Sequence, residues 1–271
     1  VNRANAVINR VPNIEDMKEN MKKRVEGEAR FLRALNYFNL VRLFGDVPLI
    51  TEERTSLDNI HVPKTPSIDV YDQIITDLEF AAANCPLNSA YSDADKGRVT
   101  KGAAQALLGK VYLTMAGNPL NLTENYAKAE TELKKVIDSK EYDLFPEYFD
   151  VFDLNNKNGI EHIFDIQFSS GLGGNGNNFG NFYSPSGWNG NAGAWGGATS
   201  EPEFLDQFDP NDKRIEQGML LQFEAWGEEQ YYCPNWDCTD TSGYYVVSQW
   251  PDGGVADMPF VRKFAEHTGS G

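Results

Sequence analysis

All five tryptophans of this chain fall in its second half, and most stand beside residues that donate or accept hydrogen bonds. Trp188 precedes Asn189 and Asn191, Trp226 lies between Glu224 and Glu228, Trp236 is flanked by Asn235 and Asp237, and Trp250 follows Gln249. Flat aromatic faces next to amides and carboxylates suit a ligand with an apolar face and a rim of hydroxyls, which is the chemistry of a sugar ring. The candidate binding residues are therefore Trp188, Trp195, Trp226, Tyr231, Tyr232, Trp236 and Trp250, with Asn189 and Asn235. The competing reading is that each ring plugs the core of its own loop. Trp188, Trp226 and Trp236 rank first because of their polar neighbours, whereas Phe31, Tyr37, Phe38 and Phe44 read as helix packing.

Covalent chemistry finds no comparable foothold. His61, His162 and His267 stand apart, without the spacing of a zinc protease or a serine hydrolase, and no catalytic residue is nominated. Gly171 to Gly176 satisfies GxGxxG after a predicted strand, yet Asn177, Asn178, Phe179 and Gly180 follow where a helix should begin, so no helix N-terminus is offered to a pyrophosphate. Segments 93–97 and 153–159 carry aspartates at intervals that faintly suggest calcium loops. They lack the spacing or terminal Glu of an EF-hand and read first as Asx turns. No cofactor is expected; calcium is possible in principle but not indicated.

These side chains sit in a chain of 271 residues, 40 of them Asp or Glu against 24 Lys or Arg, for a formal charge of −16. Such a surface repels a phosphate backbone, and the densest basic run, Lys22 to Arg24, sits among acids on a predicted helix, so nucleic acid is excluded as a partner. No apolar run has the roughly 20 residues of a membrane-spanning helix. Three cysteines are too few for a disulfide scaffold; Cys233 and Cys238 could pin one loop or be unrelated thiols, and Cys85 reads as a half-buried helix-end residue.

The first half supplies the helices. Ala4, Val7, Ile8 and Val11 begin a helical pattern at the very start of the chain. From Glu15 to Phe44 apolar residues recur at helical spacing (Val25, Ala29, Leu32, Leu35, Tyr37, Leu40, Val41, Phe44), with Gly45 placed to cap the end and Pro48 barring continuation. After an ordered connection, further helices are expected over 70–85, begun by Ser67 or Asp69 and stopped before Pro86, over 100–116, rich in alanine and glycine, and over 125–138. Short links between them predict stacked helical hairpins of the tetratricopeptide kind. Beyond Lys157 the pattern changes: 160–168 alternates like a strand, 171–197 is dense in Gly and Asn but aromatic, and short helical turns are expected over 203–208 and 212–217. The fold class is thus mainly α, a tetratricopeptide-like α/α superhelix over residues 1–157, with a loop-rich, partly β second half, 158–271, packed on it as part of the same globular unit.

One stretch is specific enough to carry a resemblance. Residues 28–49, EARFLRALNYFNLVRLFGDVPL, closely resemble the signature helix and turn of SusD/RagB proteins. Tyr71 to Leu78, Gly97 to Ala104, Leu107 to Leu113, Tyr126 to Ala129, Val136-Ile137, Glu161 to Phe164 and Asp212 to Arg214 look like later landmarks of that family in the expected order. The resemblance implies a lipid-anchored protein on the extracellular face of the outer membrane. Such a protein lids a SusC-like TonB-dependent transporter and captures oligosaccharides, or in RagB-type versions peptides, without turning them over. It also implies that both chain ends are truncated relative to the family and that membrane attachment comes only through an anchor outside this chain. A helical-repeat scaffold for other proteins is the reading from a different class, and a glycosidase the outsider.

Overall fold

The structure, a computed structural model, describes residues 1–56, 58, 61–168, 204, 207–209, 211–214, 219–220, 222–225, 228–231, 248–249, 255–256 and 260–261. Two compact units divide the chain: residues 1–144 with 158–166, and residues 145–157 with 167–271.

The first unit is a stack of five helices, α1 (Asn2–Arg10), α2 (Glu19–Phe44), α3 (Ser67–Asn84), α4 (Lys101–Ala116) and α5 (Asn125–Ser139). Each packs on its neighbour in sequence, α1 on α2, α2 on α3, α3 on α4 and α4 on α5, which is the tetratricopeptide-like arrangement. Helix α2 buries Gly27, Phe31, Ala34, Phe38 and Val41 along one stripe, and Ala29, Arg33 and Tyr37 along the next. That register corrects the sequence reading: Leu32 (42 % exposed) lies off both stripes, and Phe44 (68 %), in line with Tyr37, lies past the last packed turn. The apolar count around α2 is too even to choose a face, and the choice falls to a buried cation, described below. The remaining core comes from Val70, Ile74, Leu78 and Ala81 of α3 and from Ala104, Leu108 and Val111 of α4.

Small residues set the closest approach. A Cβ on Gly109 of α4 would stand 2.6 Å from Leu133 Cγ of α5, and one on Gly102 would stand 2.4 Å from the Tyr142 ring. Gly27 of α2 faces Cys85 at the end of α3. That cysteine is buried rather than half-buried, and burial pushes its thiol up to about 12.

Helix ends follow local chemistry. Gly45 ends α2 at φ 67°, a left-handed conformation that glycine adopts without a Cβ penalty, and its N–H donates to Val41 O. Thr100 caps α4, its Oγ1 accepting from Ala103 N at 2.9 Å. Helix α3 differs from expectation: neither Ser67 nor Asp69 caps it. Pro66 occupies the cap position, and Asp46, from the turn after α2, accepts from Ser67 N at 2.8 Å.

The segment 160–166 holds no strand. Its buried contributions, Ile163 and Phe164, are adjacent in sequence, whereas successive residues of a strand point to opposite faces. Phe164 packs edge-on against Phe31 with ring centroids 4.8 Å apart, and Ile160 O accepts from Asp143 N. Alternation of residue type here is a coincidence of composition.

In the second unit three two-stranded antiparallel pairings are described. These are β1 (Met219–Leu220) with β6 (Phe260–Val261), β2 (Gln222–Ala225) with β3 (Glu228–Tyr231), and β4 (Ser248–Gln249) with β5 (Val255–Ala256). A five-residue 3-10 turn, Tyr148–Phe152, precedes them. The helical turns expected over 203–208 and 212–217 lie largely outside the described residues, Phe204, Lys213 and Arg214 being in helical conformation.

Candidate functional site

Of the residues nominated from sequence, Trp188, Asn189, Trp195, Trp226, Tyr232, Asn235, Trp236 and Trp250 lie outside the described residues. Tyr231 closes β3, its backbone registered against Gln222. The described geometry is that of the frame which carries these loops, and it is organised around two clusters of charge that the sequence did not single out.

The first centres on Arg33, only 3 % exposed in mid-α2. Its guanidinium grips Asp77 of α3 through two bonds, Nε to Oδ2 and Nη2 to Oδ1, both 2.7 Å, while Nη1 donates to Asn5 Oδ1 of α1 at 3.0 Å and to Thr51 O at 2.8 Å. Asp77 also accepts from Arg30 and Gln73. A buried charge is tolerated only when paired and hydrogen-bonded, so the position of Asp77 dictates which face of α2 turns inward. The same residues order the connection after α2. Asn5 Nδ2 donates to Ile50 O and Glu52 O, the Tyr37 hydroxyl accepts from Ile50 N and donates to Ile50 O, and Asn2 brackets Arg54 at both backbone groups. Side chains here replace a neighbouring strand, satisfying backbone groups of a segment with no secondary structure of its own.

The second cluster gathers on Glu28, one helical face away. Arg98 reaches it with Nη2 to Oε2 at 2.5 Å and Nε to Oε1 at 3.1 Å, and Arg24 with Nε to Oε1 at 3.0 Å. Arg24 lies over the Tyr91 ring at 4.5 Å, and the Tyr91 hydroxyl donates to Val99 O at 2.7 Å. Burial, reinforced by Glu28, raises the Tyr91 phenol well above its ordinary range. Asp95 pairs with Arg24 and Arg98, and Asp93 with Lys96. The carboxylates of segment 93–97 therefore face cations, and at 153–155 Asp153 Oδ1 accepts from Asn155 N, an Asx turn. Among the described residues no three His, Cys, Asp or Glu side chains converge to hold a metal ion. A small polar hollow beside this cluster is lined by Asn88, Arg98, Thr100, Asn158, His162 and Asp165. His162 Nε2 lies 3.6 Å from Asp165 Oδ2.

Arg33 and Glu28 both belong to the stretch 28–49 that carried the family resemblance, so its charged positions now have physical duties: one fixes the face of α2, the other fastens the link into α4. No described helix is long and apolar enough to cross a membrane.

Comparison with known proteins agrees with this frame. Residues 1–113 match a family model, SusD-like_3, described as "Starch-binding associating with outer membrane". A SusD-like protein of Bacteroides ovatus is 34 % identical over 179 residues, covering 62 % of this chain and 31 % of the relative. A SusD superfamily structure from Parabacteroides distasonis superposes with a TM-score of 0.75 at 28 % identity, covering 97 % of this chain and 53 % of that one. A further structure, solved "with xylogluco-oligosaccharide", gives a TM-score of 0.68 at 27 % identity over 80 % of this chain and 44 % of that one. The chain thus spans about a third of the Bacteroides ovatus relative and about half of the solved structures it overlays. Through the signature helix and the tetratricopeptide-like stack it organises, the first 113 residues are similar to the SusD-like family, and the solved SusD-like structures extend that likeness of fold across most of the chain.

Proposed function

We propose that this protein captures glycans at the cell surface, without cleaving them, and passes oligosaccharides to a SusC-like TonB-dependent transporter of the outer membrane to which it is lipid-anchored. The observation that carries the reading is the kinship of the α1–α4 frame with a family described by starch binding and outer-membrane association, together with a fold relative solved with a xylogluco-oligosaccharide. The aromatic and amide residues of the second half, Trp188 and Trp236 foremost, supply the sugar-stacking surface in this reading. The frame favours binding over catalysis, since the buried Asp77 and the half-buried Glu28 are engaged by arginines rather than poised as acid and base. A peptide-capturing lid of the same transporter class is the alternative, and the starch-binding family and the relative solved with xylogluco-oligosaccharide weigh against it.

The test is intrinsic tryptophan fluorescence titrated with neutral oligosaccharides and with mixed peptides, with product analysis alongside. A saturable shift with a sugar, weakened in Trp188→Ala or Trp236→Ala and unaccompanied by cleavage, is the expected result. A response to peptides alone favours the RagB-type lid. Release of smaller sugars overturns the non-catalytic reading.

A further inference from the structure

Aromatic rings stand exposed at several places in the described chain, and in the second unit two exposed ring pairs lie on segments joined by an ion pair. In the second unit Tyr148 (41 % exposed) meets Phe152 edge-on at 5.7 Å, and Phe204 (48 %) meets Phe208 edge-on at 5.0 Å. The two segments are more than fifty residues apart in sequence. They are brought together by Lys213, whose Nζ bonds both Glu147 oxygens at 2.9 and 2.8 Å. Arg214 then lies over the Phe208 ring at 5.1 Å, its guanidinium held by Asp212 through Nε and Nη2. Phe44 and Tyr126 of the first unit, though more exposed, have no ring contact of this kind.

Exposed apolar rings cost solvation free energy, and the Lys213–Glu147 ion pair holds the two ring-bearing segments together. Edge-to-face contacts leave ring faces to a third partner, and a guanidinium oriented by Asp212 through Nε and Nη2 has further N–H donors to offer. A pyranose offers both complements, C–H bonds on one face and hydroxyl oxygens around it. We infer that Tyr148, Phe152 and Phe204, with Arg214 oriented by Asp212, form a carbohydrate-stacking subsite separate from the tryptophan-bearing loops. The inference rests on the glycan-capture reading and extends it: a ligand several sugars long is held at more than one place.

Calorimetric titration of the full chain against a panel of neutral oligosaccharides of increasing length tests it. For whichever sugar binds, Tyr148→Ala with Phe204→Ala should weaken affinity for the longer members at least about fivefold, the scale of one lost stacking contact. Tyr148→Phe should keep the unaltered affinity, and Phe44→Ala, an exposed ring elsewhere, should change nothing. Circular dichroism of each variant separates lost binding from lost fold; if the double alanine variant unfolds, Arg214→Gln, which keeps the rings, should still weaken binding. Sugar binding that is unchanged in every variant overturns the subsite while leaving capture standing. Failure of the unaltered protein to bind any member of the panel counts against capture itself, and the subsite falls with it.

Discussion

Arg33 and Asp77 show how much a single pair of side chains can decide. Asp77 is fully buried and accepts four hydrogen bonds from Arg33, Arg30 and Gln73, so removing its charge strands a guanidinium in the core. Asp77→Ala should lower unfolding free energy by about 3 to 5 kcal/mol, and Arg33→Met with Asp77→Leu together by much less than the sum of the single changes. Urea unfolding of the three variants checks this, and additive losses would show that the pair is not coupled. None of this was visible beforehand. An arginine among apolar neighbours in a helix looks like a solvated face, because the partner that makes burial tolerable lies 44 positions away. Phe44 misleads in the opposite direction: its residue type says core, its place after the last packed turn says solvent.

At the scale of elements, the helices were legible because 3.6-residue periodicity and end signals act locally. Thr100, Gly45 and Pro86 mark boundaries that coincide with those observed to within a residue or two. What depends on distant partners was not legible. The start of α3 is capped by Asp46 from another element, and the false strand over 160–168 rested on alternation of residue type alone. The glycines of α4 were read as permitting close approach, and Gly109 gives that a distance. Gly109→Ala improves helix propensity yet places a methyl into Leu133, so it should destabilise by about 1 to 3 kcal/mol. Thermal unfolding decides the sign, and Gly109→Ala combined with Leu133→Ala should recover part of the loss. The candidate site was legible only as composition: nine residues were nominated from aromatic and amide neighbours, and eight of them lie outside the described residues.

For the whole molecule the net charge of −16 is the property that acts at a distance. A surface so acidic slows the approach of polyanions and leaves neutral ligands indifferent, with a screening length of about 10 Å at 0.1 M salt. If the captured glycan is neutral, its association rate measured by stopped flow should hardly change between low and moderate salt, whereas a uronate-bearing oligosaccharide should associate faster as salt rises. A neutral sugar with a strong salt response would point to charged groups in direct contact with it.

Arg33 touches α1 through Asn5, the connection through Thr51 and α3 through Asp77, and it belongs itself to α2. Four segments thus share one cation that none can release singly without leaving it in an apolar interior. Fraying, which ordinarily lets short helices open by themselves, is denied to α1 by this arrangement. The first seventy or eighty residues should therefore melt as one cooperative block, so that α1, short and at the edge of the stack, is as slow to open as the helices at its centre.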